Sequence, residues 1–329
     1  MKKSHIVILA ILLVPCLLML FNDRGISNTI KDNIVFKQKL SEYGLYKGKM
    51  SDLTPCNEAV TIEIASPLFT DYAEKQRIIL LPKGFKMKAQ GSGLPDFPNG
   101  TIIAKTFYYQ NKTNGKAETL HILETRLLIK NEDQWNASTY QWNDIQDEAF
   151  LLKDGATVPV AFVEEMGNNR TTSYKIPSRT DCISCHRQND QILPIGPKLR
   201  NMNININLEQ EFKNQLEYLK EKGKLEITDN TQITQITDYR NEAEPLQMRA
   251  RAYLDINCAH CHNPNGTGYI TQLDLRTETP IHETGIWLKQ GKIAYRMTVT
   301  GDLHMPKIGT TIPHDEGVKL ILDYMKNLE

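Results

Sequence analysis

The sequence predicts an α+β protein of more than one domain, with a β-rich N-terminal module followed by a mostly α region. Three observations carry this expectation. Residues from about 60 to 176 are rich in β-branched and aromatic side chains punctuated by turn formers. After Pro177 the apolar residues recur at helical spacing, and this second half carries the string C-x-x-C-H twice, at Cys182–His186 and at Cys258–His262.

Taken in order, residues 1–27 read as a signal peptide or an N-terminal anchor. Lys2 and Lys3 precede an apolar run from Ile6 to Phe21, the layout of a secretory signal. As a helix that run spans about 24 Å, short of a bilayer core of about 30 Å. Cys16 follows Pro15, which disfavours the small residue that a lipid-attachment site wants. Each reading delivers the body outside the cytoplasm, periplasmic or membrane-anchored facing the periplasm, with the basic residues left inside. Membrane contact is expected only through this segment, and only if it stays uncleaved.

Residues 28–176 form the β-rich module. A short helical pattern lies near Phe36–Tyr43, and strands are predicted over 77–81, 101–109, 119–129, 157–163 and 172–176, separated by turns such as Pro82-Lys83-Gly84. The apolar parity of 119–129 changes midway, as a β-bulge would require. A sandwich or barrel-like arrangement is expected. Residues 177–243 are the first motif's segment, with a helix over Leu208, Phe212, Leu216 and Leu219, Asn207 as N-cap and Gly223 as the stop. Residues 244–329 hold a helix from Pro245 into the second motif and a last helix from Asp315.

The 39 basic and 39 acidic residues cancel, so no charge bias points to nucleic acid. Of six cysteines, four lie in the two strings, with Cys16 in the leader and Cys56 alone. Zinc ribbons place their C-x-x-C pairs about 15–20 residues apart, whereas 72 residues separate Cys185 from Cys258. No triad, P-loop or dinucleotide fingerprint is present.

C-x-x-C-H is the attachment signature for c-type haem. In a helical turn, residues at i, i+3 and i+4 share a face, which brings two thiols and an imidazole together. Cys182, Cys185, Cys258 and Cys261 are therefore expected to bond two covalent haems c, with His186 and His262 as axial iron ligands. For the second haem, Met305 lies 43 residues beyond His262 on a loop stiffened by Pro306, with His304 as the alternative distal ligand. For the first, Met202, Met166, Met248, His121 and an open position all remain candidates. Arg179 and Arg296 read as ordinary surface arginines or as haem-propionate partners, and Glu124 with Arg126 as a solvated ion pair on a sheet face or as contacts to a haem propionate or a ligand.

From about 244 onward, the order helix, C-x-x-C-H, Gly/Pro loop, Met-Pro and final helix resembles cytochrome c, which implies Met305 as the distal ligand. A wider set of strings includes Ser66-Pro67-Leu68-Phe69-Thr70-Asp71, Phe97-Pro98-Asn99-Gly100-Thr101 and Glu124-Thr125-Arg126-Leu127-Leu128. Others are Tyr140-Gln141-Trp142-Asn143, Ile195-Gly196-Pro197 and Arg251-Ala252-Tyr253-Leu254-Asp255. With these the chain resembles a family of exported bacterial dihaem proteins that have a C-terminal cytochrome c domain and an N-terminal β-rich module. The resemblance implies redox partner proteins, including a parallel β-helix protein, and supplies no substrate. The expected function is electron transfer through a two-haem relay. The alternatives are a peroxidase-like haem oxidoreductase with an open first haem, or a binding module with a redox outlet.

Overall fold

Strand-forming residues alternate with turn formers from Ala59 onward, and there the chain builds an antiparallel sheet. The computed structural model describes residues 32–111, 119–163, 169–208, 211–228 and 232–328. The expected signal or anchor, 1–27, lies outside the described residues. No described helix is long and apolar enough to cross a membrane.

The strands are β1 (Ala59–Thr61), β2 (Glu74–Leu80), β3 (Met87–Lys88), β4 (Ile102–Asn111), β5 (Thr119–Asn131), β6 (Gln134–Trp142) and β7 (Ala149–Leu152). All but β3 join one six-stranded sheet in the order β1-β2-β4-β5-β6-β7. Side chains alternate between its faces. Ile78, Ala104, Leu127 and Tyr140 pack on one face against Leu40, Leu45 and Leu53 of the N-terminal segment. Ile79, Ile103 and Ala137 point to the other, where they meet Cys182 and the segment that follows it. The predicted bulge is present: Phe107 pairs with Glu124 and Tyr108 with Ile122, so Leu123 is the extra residue.

β8 (Ala156–Val163) and β9 (Asn169–Ile176) form a separate hairpin. Val160, Phe162 and Tyr174 pack it onto Tyr109 and Leu123 at one end of the sheet. The sheet is thus open, with a hairpin across part of one face, instead of the expected sandwich or barrel.

The region after Pro177 corrects the expectation of a mostly α haem-bearing half; the described residues are 26% helical and 29% strand. Here α1 (Arg179–His186), α2 (Leu199–Met202) and α3 (Gln215–Glu221) are short. Between and after them lie β10 (Arg187–Gln188), β11 (Gln191–Ile192), β12 (Asn205–Leu208), β13 (Glu211–Asn214) and β14 (Leu225–Glu226), which pairs in parallel with β3. The helical spacing of Leu208, Phe212 and Leu216 misled because Phe212 is 78% exposed and belongs to no stripe. Ile206 and Leu208 instead alternate with asparagines, a period of two that forms a hairpin. The helix begins later, where the Asn214 side chain accepts from Leu216 N at 2.9 Å.

The last part holds α4 (Leu246–Asn257), α5 (Ile286–Thr298) and α6 (Asp315–Lys326) around Tyr253, Leu254, Ile286, Leu320, Ile321 and Tyr324. Ala65 and Ile236 belong to the same cluster, so this core draws on residues far outside 244–329. Helix α5 carries no strong sequence signal: Trp287 and Leu288 are exposed and blur its stripe.

Two contacts set the helix arrangement. At Gly317, a Cβ would overlap the buried Tyr253 phenol, so α4 and α6 approach closely only because this position has no side chain. At the other end of α4, the fully buried Asp255 carboxylate accepts two bonds from Arg200 Nη2 (2.9 and 3.0 Å), lies 3.5 Å from Lys198 Nζ, and accepts from Thr277 N (3.1 Å). Burial alone would raise its pKa; Lys198, Arg200 and the Thr277 amide outweigh burial and hold it below the usual carboxylate range.

Two predictions follow from this packing. Gly317→Ala should destabilise the chain by about 1–3 kcal/mol through overpacking, read by urea denaturation, while the same change at Gly291, where nothing lies nearby, should not. Asp255 has a depressed folded pKa, so its contribution is present above the unfolded value of about 3.9 and is lost as pH falls through the lower folded one. Asp255→Asn should cost about 3 kcal/mol at neutral pH and flatten the acid limb of the stability profile. An unaltered acid limb would contradict this.

Candidate haem-binding site

The first motif lies on α1, whose start is fixed by Ser178. Its hydroxyl accepts from Asp181 N at 3.1 Å, and Asp181 Oδ2 accepts from Ser178 N at 3.0 Å, a reciprocal cap that stops β9 from running on. Cys182 is buried against the sheet, with Sγ 3.4 Å from Thr139 Oγ1 on β6. His186 Nδ1 lies 2.8 Å from the Leu193 carbonyl. A carbonyl only accepts, so Nδ1 carries the proton and Nε2 keeps its lone pair. Burial, the largest influence, lowers the imidazole pKa to about 4. His186 is neutral, the form that ligates iron.

The second motif leaves the end of α4. Cys258 N donates to Leu254 O (3.0 Å) and His262 N to Cys258 O (2.9 Å), which continues one helical turn through both thiols and the histidine. His262 Nδ1 lies 2.9 Å from Thr271 Oγ1, whose own proton goes to Gly268 O at 2.7 Å. The hydroxyl oxygen therefore accepts from Nδ1–H, and Nε2 again remains available. Gly268 is required because a Cβ would sit 2.8 Å from His262 Nδ1, and at Gly266 a Cβ would overlap the Cys261 carbonyl. Burial also lowers the His262 pKa, and it pushes the Cys258 thiol up to about 12.

Far apart in sequence, the two motifs are clasped together in space. Asn189 N donates to Asn265 O (2.9 Å), Gln188 Nε2 to His260 O (2.8 Å) and Thr267 Oγ1 to Ser184 O (3.2 Å). The Cys185 and Cys261 thiols face one another across this clasp; their interaction and burial push Cys261 up to about 12, and the same interaction lowers Cys185. His260, inside the second motif, bears on both His186 and His262.

The loop expected to carry a distal ligand is held from several sides. Met305 N donates to Arg296 O at 2.8 Å, and Thr311 N and Oγ1 donate to the buried Asp71 carboxylate. His304 is buried, with Nδ1 2.7 Å from Val299 O and Nε2 3.1 Å from Thr310 Oγ1. Both its nitrogens are engaged, whereas Met305 is half-buried with its sulfur in no hydrogen bond among the described residues. Among the candidates for the first site, Met202 is fully buried in the cluster that contains Cys182. Met248 is 51% exposed on α4, and Met166 lies outside the described residues.

Glu124 and Arg126 are not solvated. Glu124 is fully buried; it accepts from Arg126 Nη2 (2.6 Å), Arg126 Nε (2.9 Å) and Tyr174 Oη (2.7 Å). The guanidinium lies 4.1 Å from the Phe107 ring centroid. The bulge at Leu123 turns Glu124 inward. Arg179 pairs with Asp32 at 2.6 Å, and Arg296 Nε is buried with no partner among the described residues.

This donor set fits haem c. The thiols of Cys182, Cys185, Cys258 and Cys261 are free, each imidazole presents an Nε2 unbonded among the described residues, and the guanidinium of Arg296, whose buried Nε has no partner among them, bears on His262. Among the described residues no group of three or more His, Cys, Asp or Glu side chains could hold a metal ion; a haem iron takes its equatorial nitrogens from the porphyrin. No protein-family profile, curated protein or solved structure matches the chain.

The thiol contact is testable without any cofactor. In protein made without haem attachment, mild oxidation with diamide should join Cys185 to Cys261. Non-reducing peptide mapping reads the bond, and exclusive pairing within each motif would contradict the arrangement.

Proposed function

We propose that this chain is an exported dihaem c-type cytochrome that acts in electron transfer. Cys182 and Cys185 fasten one haem and Cys258 and Cys261 the other, with His186, His262 and Met305 as axial ligands. The observation that carries this reading is the clasp between the motifs. Thioether bonds at Cys185 and Cys261, which face one another across the clasp, would set two porphyrin edges side by side, as a relay needs.

Bound haem supplies a one-electron Fe(III)/Fe(II) couple. The chain's own groups tune it. The Leu193 carbonyl and the Thr271 hydroxyl hold each imidazole in the Nδ1–H tautomer and fix the ring plane. A methionine at 305 raises the potential relative to a second histidine. Met202, buried beside Cys182, favours a closed first iron over the open one that peroxidase chemistry requires. The electron donor and acceptor are redox partner proteins, a parallel β-helix protein among them, and the setting is outside the cytoplasm, where haem attachment takes place.

The full chain, matured with haem attachment machinery, tests this. Intact mass should show two added porphyrins, and the spectrum two low-spin haems, one with a sulfur-to-iron band that Met305→Ala abolishes. Four free thiols with no added mass would sink the proposal; a high-spin component that shifts with cyanide would move the assignment to catalysis.

A further inference from the structure

The inner face of the sheet carries a row of basic side chains whose outer members have no ion pair among the described residues. Arg77 pairs in register with Lys105, Lys105 with Arg126, and Arg126 with Thr139. Thr139 touches Cys182, so the row starts at the first motif and runs across β6, β5, β4 and β2. Lys75 stands two residues before Arg77 and shares its face. Three strand spacings separate β6 from β2, about 14 Å.

Arg126, nearest the thiols, is neutralised by Glu124. The outer members have carboxylates only in the neighbourhood: Asp71 and Glu74 bear on Lys75 and Glu63 on Arg77, none as an ion pair with them among the described residues. Among the described residues, Lys75, Arg77 and Lys105 make no side-chain hydrogen bond or ion pair. Arg77 is 8% exposed and its Nη2 is buried without a partner. Lys105 has only the Phe107 ring, with Nζ 4.9 Å from its centroid. Burying an unpaired cation is costly, and like charges on adjacent strands repel. Burial first, and then the neighbouring cations, pull both lysines well below their ordinary pKa. Lys105 and Arg126 also bear on Cys185 and His186.

We propose that Lys75, Arg77 and Lys105 form a carboxylate site that receives the propionates of the haem attached at Cys182 and Cys185. This rests on the haem reading above. A porphyrin fastened by its vinyl edge at α1 presents its propionates at the opposite edge, further along the row. There no carboxylate is bonded to the cations among the described residues; at Arg126, close to the thioether edge, the chain supplies its own.

The test uses Lys75→Met, Arg77→Met, Lys105→Met and the double Lys75→Met/Lys105→Met in the full, haem-matured chain. Intact mass should still show two haems. Spectroelectrochemistry should show a lower midpoint potential for one haem only, because removing a nearby cation disfavours the more negative reduced state. Resonance Raman should show that haem's propionate-bending bands displaced, with Lys105→Arg restoring both readouts. The haem that responds should not be the one whose sulfur-to-iron band is lost in Met305→Ala. Two attached haems with unmoved potentials and bands overturn the site while leaving the dihaem reading intact, and so does a response confined to the Met305 haem. Wild-type chain without porphyrin mass overturns both.

Discussion

The arrangement of the second half of the chain depends on how the two C-x-x-C-H turns are clasped. The clasp is made by hydrogen bonds from the Gln188 amide, the Asn189 main chain and the Thr267 hydroxyl, and it turns the Cys185 and Cys261 thiols toward one another. Each partner in it is held from behind. Helix α1 leans on β6 through Cys182 and Thr139, and the second motif is anchored by α4 in the helical core. A shift of either support would part the sulfurs, so the sheet and the three helices act as the two jaws of one device.

Between the jaws runs the segment Glu63–Asp71, stitched by buried side chains. Gln215 bonds both the amide and the carbonyl of Glu63 (2.7 and 3.0 Å), Asn201 Oδ1 accepts from Ser66 N (3.0 Å), and Asn257 Oδ1 accepts from Phe69 N (2.8 Å). Asp71 then receives the loop after Met305. Buried amides that bond irregular backbone are costly to lose, because each would leave a donor or acceptor unpaired. That is why Ser66–Asp71, which forms no strand or helix, is as firmly determined as one. It links α2, α3, α4 and the Met305 loop, and so transmits the position of the sheet to both motifs.

Local chemistry was legible in the sequence wherever the deciding contacts lie within a few residues. The turn through Cys258 and His262, the α4 start after Pro245, the α6 start at Asp315 and the bulge in β5 all follow from spacing. What was not legible depends on partners far along the chain. Strands β6 and β7 carry polar residues such as Asn136, Ser138 and Thr139, and count as strands because both faces of β6 are covered. The stripe through Phe212 looked helical because four-residue spacing arises by chance in a short window, and only exposure reveals it. Nothing in either motif's own sequence announces that the two touch.

One signal was present and undervalued. In β4 the residues Ile103, Phe107 and Tyr109 share an inward parity, and Lys105 falls on that same parity; Arg77 sits likewise beside Ile79. A single charge on an apolar face can be dismissed as a long side chain reaching for water. Two, directly paired across strands and joined by a third at Arg126, cannot all escape from one face of a covered sheet. Glu124 answers Arg126, while Asp71, Glu74 and Glu63 bear on Lys75 and Arg77 without an ion pair to them among the described residues. In that sense the β-rich module is less an appended domain than a wall behind the first motif. The same strand parity that builds its core also points its cations toward that motif.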